Sequence, residues 1–113
     1  MATTKAAMRG RLVTLQNAAS VDESPGLVLA IPDSFKHHTF YIKGSTGVNA
    51  GVVQPESADA YDYAGLWAAI STPVTVIADT ELMVRVEGIF KFIRCRISTA
   101  IGVGTVTVTY VGS

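Results

Sequence analysis

Apolar side chains in this chain recur at every second position, in short blocks rich in β-branched and aromatic residues, and the blocks are separated by Gly, Pro, Ser, Asn and Asp. That period belongs to a strand with one packed face, and no stretch shows a helical stripe of comparable quality. In 105–111 (TVTVTYV), Val106, Val108 and Tyr110 share one face while Thr105, Thr107 and Thr109 share the other. In 90–97 (FKFIRCRI), Ile93, Cys95 and Ile97 point one way and Phe92, Arg94 and Arg96 the other. The segment 98–104 between them carries Gly102 and Gly104, which suit a hairpin turn, so 90–111 reads as an antiparallel hairpin.

Upstream, Leu82, Val84 and Val86 alternate with Met83, Arg85 and Glu87, and 73–78 is a further strand candidate. Residues 73–111 then read as a four-strand meander. Four more strands are expected at 11–16, 26–31, 39–43 and 48–54, with Pro25 and Pro32 bracketing the second. About eight short strands, with no helix long enough for a parallel crossover, predict an all-β fold: one antiparallel β-sandwich, jelly-roll or immunoglobulin-like. The segment 55–65 (PESADAYDYAG) breaks the rhythm and reads as a long acidic loop with one helical turn, leading into 66–70. Residues 1–10 read as a flexible N-terminal arm and 11–113 as the single domain.

Composition narrows the function. The 113 residues carry nine Lys and Arg against nine Asp and Glu, and only 16% are charged, which argues against disorder and against a dedicated nucleic-acid binder. No run is long enough in apolar residues to span a bilayer, and no secretory h-region follows the basic start, so a soluble protein or assembly is expected. The single cysteine cannot form an intrachain disulfide.

No residue cluster names a reaction. His37 and His38 are adjacent, so on a strand they face opposite sides and cannot share a metal; they read as partly exposed strand-end residues. Cys95 sits on the packed face, as a structural thiol would. Arg85, Lys91, Arg94 and Arg96 form the one basic concentration, either a solvated face or a patch for an acidic protein surface such as the Glu56, Asp59 and Asp62 loop of a neighbouring copy. Tyr61, Tyr63 and Trp67 suit a protein interface or a sugar ring, with core packing the plainer role for Trp67. The glycines at 44–47 and 102–104 lack the spacing and lysine of a nucleotide loop.

The run VRVEGIFKFIRCRI at 84–97, followed by a glycine turn and GTVTVTYVG at 104–112, resembles the closing hairpin of small virion proteins of tailed bacteriophages. The resemblance spans about 73–113. It implies a non-enzymatic decoration or cement protein on the capsid surface, made in the host cytoplasm, with no cofactor, metal or catalytic residues. It further implies contact with the major capsid protein and assembly as a dimer or trimer. A carbohydrate- or receptor-binding module of a phage tail is the alternative. The surfaces expected to meet a partner are Lys5, Arg9 and Arg11 of the arm, Tyr61, Tyr63 and Trp67, and the Phe90, Phe92, Arg94 and Arg96 side of the sheet.

Overall fold

A computed structural model describes residues 4–5, 12–21, 24–60 and 67–113, with the backbone alone at 4–5. Among the described residues ten strands are formed: β1 (Thr4–Lys5), β2 (Val13–Ala19), β3 (Leu29–Ala30), β4 (His37–Gly44), β5 (Ala50–Ala58), β6 (Ala68–Ala69), β7 (Val74–Thr75), β8 (Glu81–Glu87), β9 (Phe92–Gly102) and β10 (Val106–Gly112). No helix occurs among the described residues. The alternation read from the sequence sets the faces: Ile93, Cys95 and Ile97 of β9 and Val106 and Val108 of β10 are fully buried, as is nearly all of Tyr110.

The strands form a β-sandwich of two sheets. One has the order β2-β10-β4-β8, and the other β1-β3-β9-β5, with β6 and β7 both lying along the far edge of β5. The pairings are nested. β2 pairs with β10, β3 with β9, β4 with β8 and β5 with β7, all antiparallel. The chain is therefore one long hairpin rolled up, with its tip between β5 and β7, and the contacts β10 to β4 and β9 to β5 close the roll. This is the strand order of a jelly roll, and it selects that member of the two expected sandwich types.

Two expectations are corrected by this order. β9 and β10 do not form a hairpin, because they lie in different sheets, and β9 continues to Gly102 so that the turn is only a few residues long. The 73–111 meander is likewise absent: β7, β8, β9 and β10 alternate between sheets. Alternation of apolar residues reports which face is buried and is the same whether the next strand pairs beside it or crosses to the opposite sheet. In the arm, Thr4–Lys5 pairs in parallel with Leu29–Ala30, so that part is tied to a sheet edge rather than detached.

Local chemistry accounts for the irregularities. Gly51 has φ of 138° at a register shift between β5 and β9, and a Cβ there would run into Ile101, so the bulge requires glycine. Pro55 stands inside β5, where the sequence reading had placed the start of a loop. The Pro55 carbonyl accepts from Ile70 at 3.1 Å, so the missing N–H, which lies on the same side, faces the short edge strands and the β5–β9 ladder loses no bond.

The core is lined from both sheets by Leu15, Leu29, Phe40, Ile42, Val53, Ile93, Cys95, Ile97, Val106 and Val108. Buried Gln16 of β2 donates through Nε2 to the Cys95 carbonyl of β9 at 2.9 Å, tying one sheet to the other. Every fully enclosed side-chain nitrogen or oxygen among the described residues has a hydrogen-bond partner.

Candidate interaction surfaces

Three features outside the apolar core carry chemistry. The first is on the outward face of the β9 sheet. Register places Glu56 opposite Arg94 and Gln54 opposite Arg96, all four on the side away from the core. Glu56 is only 4% exposed, and its carboxylate accepts from Arg94 Nε at 2.9 Å on one oxygen and from Arg96 Nε at 3.2 Å on the other. The Arg94 guanidinium also lies 4.2 Å from the centre of the buried Trp67 ring. Gln54 donates to the carbonyls of Ser71 and Pro55, at 2.8 and 2.9 Å.

Three of the residues expected to meet a partner, Trp67, Arg94 and Arg96, thus lie on the outward face of the β9 sheet, where both arginines, partly covered, turn to Glu56 and Arg94 stacks on Trp67. Glu56, expected on an acidic loop, is the group that neutralises the two arginines: β5 runs on to Ala58, so the first part of that segment is strand, and 61–65 lie outside the described residues. The Trp67 ring packs against the guanidinium and is not laid open as a sugar platform. Phe90 packs against the core and sits 5.0 Å from the His38 ring, and Phe92 is half-buried. Arg85 and Lys91 remain exposed. Arg9, Arg11, Tyr61 and Tyr63, and the side chain of Lys5, lie outside the described residues.

The second feature is His38. Contrary to the expectation of partial exposure, it is 1% exposed and points inward, while His37 lies outside with its Nδ1 3.7 Å from Glu87. Its Nε2 is 2.8 Å from the Gly88 carbonyl, which can only accept, so Nε2 carries the proton and Nδ1 accepts from the Tyr110 hydroxyl at 2.7 Å. Burial holds the His38 pKa below its usual value; the Gly88 hydrogen bond opposes this shift and the nearby His37 adds to it. Burial also raises the Tyr110 phenol. The Cys95 thiol is pushed up to about 12, first by burial and then by the Glu56 charge, which keeps it protonated and unreactive. No group of three or more metal-ligating side chains occurs among the described residues.

The third feature is the outward face of the β10 sheet. Its central row runs Thr14, Thr109, Tyr41, Met83 across the four strands, flanked by Val111, Thr39 and Arg85 on one side and Thr107, Lys43 and Glu81 on the other. Leu12 and Met83 are 60% and 54% exposed. Leu12, Tyr41, Glu81, Thr109 and Val111 line a shallow concavity of about 530 Å³. Sequence reading identified the threonine side of 105–111 but not Tyr41 or Met83, because their neighbours in this row come from strands distant in sequence.

No protein-family model, curated protein or solved structure matches this chain.

Proposed function

We propose that this chain is a non-enzymatic structural protein of a virion, a decoration or cement protein that lies against the major capsid protein and stabilises the head. The observation that carries the proposal is the outward face of the β10 sheet: a four-stranded surface of Leu12, Thr14, Tyr41, Met83, Thr109 and Val111 with charges at its margins. Such a surface combines apolar contact with hydroxyl donors, and aromatic residues and Met are enriched where proteins meet. The ionic groups of the opposite sheet are engaged with one another, which is the use expected of a scaffold. The resemblance in strand composition of 84–97 and 104–112 to virion proteins of tailed bacteriophages supports the same reading, although the two strands are not a hairpin.

The test is to add purified protein to expanded, undecorated capsids of the phage that encodes it. Saturable binding at a fixed symmetry-related stoichiometry and a raised capsid melting temperature are expected, with Tyr41→Glu binding more weakly while folding normally. Failure of the wild-type chain to bind at micromolar concentration overturns the proposal.

A further inference from the structure

The β10 sheet ends at β8, and that end is built to be continued. β8 pairs with β4 along all seven of its residues without a register shift, and no described residue pairs with its other edge. The strand has no proline, no bulge and no inward-pointing charge, three of the devices that blunt edge strands, and its charged residues, Glu81, Arg85 and Glu87, are all on the outward face. Its outward side chains are Glu81, Met83, Arg85 and Glu87, all exposed, and its inward ones, Leu82, Val84 and Val86, are only half-buried.

We propose that β8 pairs with β8 of a second copy, antiparallel about a two-fold axis at Met83, to give one continuous eight-stranded sheet. The charges select both the occupant and the register. Directly opposed residues share a face, so an axis at Met83 sets Glu81 of each copy against Arg85 of the other, with Met83 against Met83 and Leu82 against Val84. An axis at Val84 would set Glu81 against Glu87 twice. An axis at Arg85 would set Arg85 against itself and Met83 against Glu87. Axes at Leu82 or Val86 leave only three residues of each strand in the ladder, against five for Met83. Glu87 has no like charge opposite it in the Met83 register, because the corresponding residue, Asp79, lies beyond the strand in a left-handed turn and accepts from Thr46 Oγ1 at 2.7 Å. The dimer concerns the chain in solution and stands apart from the capsid reading.

Sedimentation equilibrium tests it. The wild-type chain should form a reversible dimer, Arg85→Glu should weaken it by about tenfold or more, and the exchange Glu81→Arg with Arg85→Glu should restore it. Met83→Cys should cross-link as a dimer under mild oxidation, whereas the wild type, whose Cys95 is buried, should not. A wild-type monomer at millimolar concentration, or a dimer indifferent to Arg85→Glu, overturns the proposal. So does tighter association of Glu81→Arg alone, which would place the axis at Val84. Should Arg85→Glu fail to fold by circular dichroism, the Met83→Cys cross-link decides, and its absence is a negative result. A monomer that still coats capsids would remove the dimer and leave the capsid reading standing.

Discussion

On the outward face of the β9 sheet, Glu56 and Gln54 are 4% and 6% exposed; on the outward face of the β10 sheet, Met83 keeps 54% of its surface in water. Both faces come from strands with the same alternation, and both carry polar residues at the outward positions. The difference lies in the neighbours. β5 is followed by the long connection at the tip of the rolled hairpin, which returns along its edge as β6 and β7 and brings in Trp67 and Ser71. No described residue returns over β8 and β4 in this way, and Met83 of their outward row is open. A charge on the first face is therefore a structural element whose removal uncovers buried partners, whereas a charge on the second is a surface feature whose effect appears in association.

Substitutions can break this contrast. Glu56→Ala removes the buried carboxylate that both largely covered guanidinium groups meet and should lower stability by about 3 kcal/mol, while Lys43→Ala on the open face should change it by less than about 0.5 kcal/mol. Urea unfolding of the two variants gives the comparison, and equal effects would mean that the faces are not distinct. Tyr110→Phe keeps the ring but removes the hydroxyl that donates to His38, and a loss of about 1–2 kcal/mol is expected by the same measurement.

The same pair makes stability depend on pH. The unfolded chain protonates His38 near its ordinary value, and the folded chain only at lower pH, so between the two the unfolded state binds more protons. The contribution is present above about pH 6.5 and is lost as pH falls toward the folded pKa. The melting temperature should decline on acidification through this window, and the slope should flatten in His38→Gln. A modest gain, not a loss, is expected at the turn that carries the chain from one sheet to the other. Val103 holds φ of 69° and is 78% exposed, so Val103→Gly should raise stability by about 1 kcal/mol, read as a higher urea midpoint with unchanged slope.

Much of the fold was legible because burial writes itself into a strand residue by residue. The inward sets Ile93, Cys95, Ile97 and Val106, Val108, Tyr110 were readable without coordinates, as was the all-β class. Glu56 was not, because Pro55 makes the end of β5 look like a loop, and a proline is tolerated there because its missing N–H is on the side away from β9. His38 was misread for a different reason: alternation correctly sets it opposite His37, but nothing local tells which of the two faces inward. Its hydrogen-bond partners, Gly88 and Tyr110, are 50 and 72 residues away.

The sequence by itself determined that this chain forms short strands, which side of most of them is apolar, and that it needs one sandwich core. The tertiary structure alone decided which strands pair, since side-chain period is blind to the sheet in which the next strand falls. It also decided that Arg94 and Arg96 turn to Glu56 and Trp67, because a charge is spent inside or offered outside according to what the rolled chain lays over it. For the same reason, the open face and the bare edge of β8 became visible only when the roll had closed everywhere else.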